Sequence, residues 1–224
     1  MSTGFNFNTV IDTAKQVITN PVGFYRGMAK SGGYAEPVIF VLVMAVISGA
    51  IMAVLALLGM GPSAGLALGL AAIIIYPIMA LVGSFILGAI LFVIWKLMGS
   101  PENYETAYRS VAYAAAISPI TAVLGLIPYV GILVSVVWGT YLMITASTEV
   151  HGRAQQTALI IFGILGGIAL LWNLGAEHSA RSMRAHFSEL ENLDMKGFEN
   201  MKPEDAGKAV GEFLKGLEKG VQSQ

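Results

Sequence analysis

The sequence predicts an all-α integral membrane protein: a five-helix transmembrane bundle, an interfacial helix before it, and a soluble helical tail after it. Three observations carry that prediction. The 224-residue chain is 55% hydrophobic and 12% charged, with a mean hydropathy of +0.70, which points to lipid as its solvent. Between Pro37 and Leu174 the charged residues are Lys96, Glu102, Glu105, Arg109, Glu149 and Arg153, gathered in two clusters that read as loops. The apolar runs on either side are long enough, at about 1.5 Å per residue, to cross a hydrocarbon core of roughly 30 Å.

Residues 1–36 form an N-terminal segment. Phe7, Val10, Ile11, Ala14, Val17 and Ile18 recur at helical spacing while Asn8, Asp12, Lys15 and Gln16 occupy the rest of the wheel, the pattern of a helix lying in the membrane surface. Asn20-Pro21 breaks it, and Phe24, Tyr25 and Arg26 follow as aromatic and cationic anchors at the interface. The first long apolar run begins only at Pro37, too late for a cleaved signal peptide, and is long enough to span, so it is expected to remain in the protein.

The membrane domain covers residues 37–174. Residues 37–58 are the first span, and Gly59 to Gly65 form a turn rich in Gly, Pro and Ser. Residues 66–95 are a second span with Pro77 as a kink. The uncharged run from Ser110 to Thr148 is too long for one helix. A turn at Pro128 divides it into spans at 111–126 and 131–147, which leaves Pro119 inside a helix that bends around it. The carbonyl freed by Pro119, near Ala115 or Ala116, calls for the Ser118 hydroxyl or a neighbouring helix as partner. Residues 157–174 make the fifth span.

Orientation follows from the cations of the short loops. Lys15, Arg26, Lys30, Lys96, Arg109 and Arg153 all fall on one side, and the turns at 59–65 and 127–131 carry none. The positive-inside rule then puts the N-terminus in the cytoplasm and the C-terminus outside. Residues 175–224 are a charged tail, with Val210, Phe213, Leu214, Leu217 and Val221 suggesting one amphipathic helix after Pro203.

Catalytic signatures are missing from the sequence. It contains no HExxH, GxSxG, GxxxxGK[ST] or GxGxxG motif and no cysteine, so no enzyme activity, cofactor or metal is expected. His178 and His186 share the tail with Glu177 and Glu189, without a diagnostic ligand spacing. A net charge of −1 gives no reason to expect a nucleic-acid partner. The spans carry no ionisable residue at mid-depth, which weighs against a transporter. A helix broken at Pro77 or Pro119 could still bind ions through its backbone. Small-residue pairs at Gly65/Gly69, Ser84/Gly88 and Gly163/Gly167 read as internal packing first and homo-oligomer contacts second. Glu105 and Arg109, four apart beside Tyr104 and Tyr108, read as a charge pair and aromatic collar at the entry to the third span. Structural anchoring is the default role of that collar, and partner docking the sharper one.

Together, NPVGFYRGM (Asn20 to Met28), YETAYRSVAYA (Tyr104 to Ala114), Pro119, and the stretch from IPYVG to Trp138 resemble the Yip (Ypt/Rab-interacting protein) domain family over roughly residues 19–174. That resemblance implies a five-helix membrane domain with a cytosolic N-terminus. Eukaryotic relatives are linked to Rab GTPases, vesicle budding and the shaping of ER and Golgi membranes. This chain lacks their long N-terminal extension and looks more like compact prokaryotic members, which implies a cell inner membrane; no functional residue carries over. The reading is a non-enzymatic membrane-organising or adaptor protein, with the bilayer and unidentified proteins as partners. The alternative is a small transporter or channel built on proline-broken helices.

Overall fold

A computed structural model describes residues 7–60, 66–192 and 211, and among these every regular element is helical. Contacts divide the chain into two units, residues 1–174 and 175–224.

The first unit opens with α1 (Phe7–Thr19) and α2 (Pro21–Gly27). Asn20 caps α2 by accepting a hydrogen bond from the Gly23 N–H at 3.1 Å, and Pro21 sits in the first turn, where no donor is needed. A Cβ on residue 23 would strike the Asn20 side chain, so the NPVG stretch is a helix start with a reason for each of these three residues. The apolar face of α1 is taken up by the bundle. Ala14 and Val17 are buried, and Val10, Ile11 and Ile18 pack against the same core.

Among the described residues four helices are long and apolar enough to cross a membrane: Ala35–Leu57, Ile73–Leu97, Val130–Glu149 and Gln155–Met183. The chain is a multi-pass membrane protein. These stretches belong to α3 (Ala35–Leu57), α4 (Leu66–Leu97, with Pro77 inside it), α7 (Val130–Glu149) and α8 (Gln155–Asn192). Their outer faces, such as Ile78, Ile86 and Ile90 on α4 and Ile164, Ile168 and Leu171 on α8, are exposed and apolar, as lipid-facing surfaces are. The inner core runs from Phe40 and Met44 on α3 through Leu91 and Trp95 on α4 to Leu142 and Ala146 on α7.

The run expected to be one helix at 111–126 is in pieces. α5 (Tyr104–Tyr113) gives way to a 3-10 turn at Ala114–Ile117, and α6 (Ser118–Leu124) follows. Pro119 therefore does not bend a continuous helix; it occupies the first turn of a new one. The Ala115 carbonyl accepts from the backbone N–H of Ser118, so the tighter winding satisfies it. The Ser118 hydroxyl instead meets Ser48 of α3 at 3.0 Å, and Ser48 Oγ also bonds the Met44 carbonyl.

Pro128 lies exposed in the turn between α6 and α7. Tyr129 takes a left-handed φ of 66° to start α7, and Gly131 backs onto the end of α6, where a Cβ would come within 2.9 Å of the Gly125 nitrogen. The turn closes so tightly that only glycine fits.

The small-residue pairs divide. Gly88 lies under Tyr108, where a Cβ would approach the ring at 3.3 Å, so Ser84/Gly88 is internal packing. Gly163 and Gly167 face open space, and it is Gly166 that lies against Thr140 of α7. Gly65 lies outside the described residues. In the second unit α8 carries the ion pair Glu177–Arg181 at 2.6 Å. The helix expected after Pro203 lies outside the described residues except for helical Gly211.

Two substitutions separate these features. Gly131→Ala should lower stability in mild detergent by about 1–3 kcal/mol, because the new Cβ overlaps backbone. Pro119→Ala should stay within about 1 kcal/mol of the parent, because proline in a first turn gives up no intrahelical bond. Thermal unfolding of the purified variants measures both, and a larger loss at Pro119 than at Gly131 contradicts this account.

Candidate functional site

At one end of the bundle the charged segments converge. Residues 28–36 leading into α3, 98–105 between α4 and α5, and 149–153 between α7 and α8 are bonded to one another side by side.

The centre is Arg109. Its side chain is 2% exposed, and each of its three nitrogens has a separate acceptor on residues 29–36. Nε donates to the Ala29 carbonyl at 2.8 Å, one terminal nitrogen to the Gly33 carbonyl at 2.8 Å, and the other to the Glu36 carboxylate at 2.6 Å. Glu105, expected to pair with Arg109, accepts the Gly33 N–H at 2.7 Å instead. The two residues grip the same turn from one helix face. That turn needs positive φ at Gly32 (127°) and Gly33 (84°), values that side chains rarely adopt.

Around this centre the remaining segments are tied. Lys30 bridges Glu102 (2.7 Å) and the Val150 carbonyl (2.9 Å), and Thr106 donates to the Lys30 carbonyl at 2.9 Å. Asn103 caps α5 through the Thr106 N–H at 3.0 Å. Arg26 is exposed and paired with Glu149 at 2.8 Å.

The aromatic residues turn inward. Tyr25 is 1% exposed and donates its hydroxyl to the Ser110 carbonyl at 2.9 Å; burial pushes its phenol well above the usual value, so it stays a neutral donor. Phe24 packs edge-on to Tyr25 and Tyr113. Tyr108 is fully buried and stacked on Phe85 at 4.2 Å, while Tyr104 donates to the Phe85 carbonyl at 3.0 Å. Of the residues the sequence singles out, Tyr25, Tyr108 and Arg109 offer no surface to a partner. Arg26 does, and Pro128 lies at the α6–α7 turn.

Sequence reasoning passed over His151, which is 2% exposed. It stacks on Trp95 at 3.9 Å, its Nδ1 lies 2.9 Å from the Ser100 hydroxyl, and Trp95 donates to Ser147 at 2.8 Å. Burial, reinforced by Lys30, Arg153 and Lys96, pushes its pKa down to about 3, so the ring is neutral. It stands beside Gly152 and Arg153 in a short loop, and nothing in the sequence marks it as core.

The Yip1 domain profile matches residues 15–176, from within α1 into α8. The chain belongs to the Yip1-domain family. The matched region takes in the entire Arg109-centred network, the first three apolar helices and the fourth as far as residue 176, so the network is a feature of the Yip1 domain of this chain. No curated protein and no solved structure matches the chain. Among the described residues no three His, Asp or Glu side chains come together as a metal site would require.

Two measurements probe the network. Arg109→Lys, which keeps the charge but cannot reach three diverging acceptors, should cost about 2–4 kcal/mol of stability in detergent; an unchanged unfolding temperature would show the fork geometry to be idle. His151 has a folded pKa below its unfolded value near 6.5. Its contribution is therefore fully present above about pH 6.5 and is lost as pH falls towards 3. Between pH 7 and 5 the parent should lose roughly 2 kcal/mol more than His151→Phe, as followed by unfolding at the two pH values.

Proposed function

We propose that the protein is a non-enzymatic membrane-organising adaptor. Its Yip1 domain crosses the bilayer five times, with the N-terminus in the cytoplasm and the C-terminal tail on the opposite face of a prokaryotic inner membrane. The observation that carries the reading is the Arg109-centred network itself. Its charges are spent on tying three segments into one rigid platform, with Glu36 satisfying Arg109 and Glu102 satisfying Lys30. A rigid platform is suited to presenting surface, and a partner would meet Arg26, Tyr34 and Glu36 at its rim, all exposed.

Five crossings are supported by geometry as well as charge. α5, the 3-10 turn and α6 start at the platform and run for about 33 Å at helical rises, close to a hydrocarbon core. α7 returns from the turn at Pro128 to the platform at Glu149. The third crossing would thus be made in pieces, which is tolerated where backbone is enclosed by protein. The polar face of α1, with Asp12 and Lys15 exposed, suits the membrane surface.

One observation favours transport. A cleft of about 370 Å³ opens at the broken segment, with hydroxyls of Tyr76, Ser84, Ser118, Thr121 and Ser135 among its apolar walls. Purified protein in sealed liposomes should pass no solute under the adaptor reading, and a specific, saturable flux abolished by substitutions at Ser118 and Thr121 would replace it. Crosslinking from the platform rim in native membranes, read by mass spectrometry, should return a recurrent protein partner, lost when Arg26 and Glu36 are reversed in charge.

The topology has its own test. Single cysteines at Pro128 or Tyr129 should react with a membrane-impermeant reagent in intact cells, and those at Lys96 or Arg153 only after permeabilisation. The reverse pattern overturns the orientation, and protection at Pro128 in both conditions overturns the hairpin's exposure.

A further inference from the structure

The cleft at the broken third segment changes character along its length. Nearest the platform its walls are apolar: Val41 and Ala45 of α3, Leu87 of α4 and Val111 of α5 lie about 9–15 Å along their helices from the platform ends. Farther than about 20 Å from the platform the walls carry hydroxyls, on Ser135 of α7, Thr121 near the end of α6 and Tyr76 of α4. The cleft is therefore apolar at one end and hydroxyl-rich at the other, towards the α6–α7 turn. Its sides are set by the packing. α4 packs on α3 and α5, α6 packs on α3 and α7, and the cleft is what α4 and α6 leave between them.

The hydroxyls are unevenly used. Thr121 donates to the Ser118 and Ile117 carbonyls at 3.1 and 3.4 Å, which leaves its oxygen free to accept. Ser84, deeper in the cleft, is spent as a donor on the Leu81 carbonyl at 2.7 Å. Tyr76 and Ser135 make no hydrogen bond among the described residues, although a helical serine can turn back onto the carbonyl one turn earlier. Both are donors in want of an acceptor, and a hydroxyl surrounded by hydrocarbon without a partner is costly. No charged side chain lines the cleft among the described residues, and the turn from Gly125 to Val130 carries none.

We infer that this cleft is a binding site for a diacylglycerol, with one acyl chain among the apolar walls and the glycerol end at Tyr76, Thr121 and Ser135. Hydrogen-bond complementarity selects the occupant. Thr121 offers an acceptor, which the free glycerol hydroxyl meets as a donor. Tyr76 and Ser135 offer donors, which the ester carbonyls meet as acceptors. A phospholipid carries a phosphodiester in place of that hydroxyl and would bring its charge to walls that hold no cation. The volume of about 370 Å³ lies near the lower end of the range of roughly 300–1,000 Å³ for ligand pockets, so one chain enters and the other stays in the bilayer. The site stands independently of the adaptor reading and of which face of the membrane the platform occupies.

The test is native mass spectrometry of the delipidated full-length protein in detergent, titrated with dioleoylglycerol, with its 3-acetyl ester, which caps the hydroxyl, and with dioleoylphosphatidylcholine. Dioleoylglycerol should bind about fivefold more tightly than either. Tyr76→Phe/Ser135→Ala should bring the three lipids within about twofold of one another. That double variant should keep the parent's unfolding temperature, because neither hydroxyl is bonded to the described protein. Thr19→Val, which removes a hydroxyl on α1, should leave the preference unchanged, and Leu87→Trp, which fills the apolar end, should weaken all three lipids. If the double variant loses its helical circular dichroism, the parent's discrimination against the capped ester carries the test. Equal binding of dioleoylglycerol and its capped ester overturns the proposal, as does a preference indifferent to Tyr76 and Ser135 in a folded variant. Oleyl alcohol binding as tightly as dioleoylglycerol would show that the ester carbonyls are not read, and glycerol competing as strongly as the whole lipid would mark a small-polyol site; either result also overturns it.

Discussion

The buried guanidinium of Arg109 is the constraint from which the charged end of the molecule follows. Removing such a group from water costs several kcal/mol, and that cost is recovered only where every donor finds an acceptor with good geometry. All three acceptors come from residues 29–36. A single side chain on α5 therefore fixes the path of the segment leading into α3. The paired glycines follow from the same demand. The Gly33 carbonyl must face Arg109 while its N–H faces Glu105, and the backbone achieves both by turning through positive φ. With that segment held, Lys30 is positioned to reach Glu102 and Val150, and the other two loops are drawn into the same network.

Rigidity at that end makes irregularity affordable lower down. Between Tyr113 and Ser118 the third segment abandons α-helical winding, a departure that lipid would punish through unsatisfied backbone groups. It survives because α1, α3 and α7 pack against it and hydroxyls bridge the joint: Ser118 to Ser48, and Thr121 to the Ser118 carbonyl. Above the break, Tyr108 and Phe85 stack against the floor provided by Gly88. The cleft at the break is therefore the consequence of a helix that ends and restarts between fixed neighbours, and its hydroxyls are partly occupied with local bonds.

What was legible in the sequence, and what was not, divides along the range of the interactions. Length and apolarity are local, and they were enough for α3, α4, α7 and the start of α8. The Pro128 turn was also legible, because proline followed closely by glycine between two apolar runs has few other uses. Pro119 was misread, because a proline that kinks a helix and one that opens a new helix look alike in sequence. Only the 3-10 turn through Ala114–Ile117 decides between them, and alanines give no signal for it. The Glu105/Arg109 spacing suggested a pair on one helix, yet a tertiary partner, Glu36, supplied stronger geometry. Tyr25 looked like an interfacial anchor since aromatic residues before a span usually are; its hydroxyl instead found Ser110, eighty-five residues away. His151 and Trp95 gave no cue at all, because stacking of a loop residue on a helix leaves no periodic trace. One hint was present and unused: Arg109 stands next to a long uncharged run, and a lone cation there needs an acid from elsewhere, of which Glu36 was one of few available.

The charges that argue for the proposed orientation are not the charges the folded protein displays. Orientation is decided while segments insert, when Arg26, Lys30 and Arg109 have not yet met Glu149, Glu102 and Glu36, and when acidic residues count for little. Folding then neutralises those three cations in pairs. The positive-inside signal is thus a property of the unfolded chain, largely erased from the finished surface. What survives as net field is set by the cations that found only carbonyls, Lys96 and Arg153. A face that would be called basic from its loop composition is, in three dimensions, close to neutral at its centre and positive along one edge, the turn from Met98 to Pro101 that Lys96 and Arg153 bond. Electrostatic attraction to any anionic surface or partner must act through that edge, because unit charges already paired at about 2.7 Å exert little force beyond their own dipole.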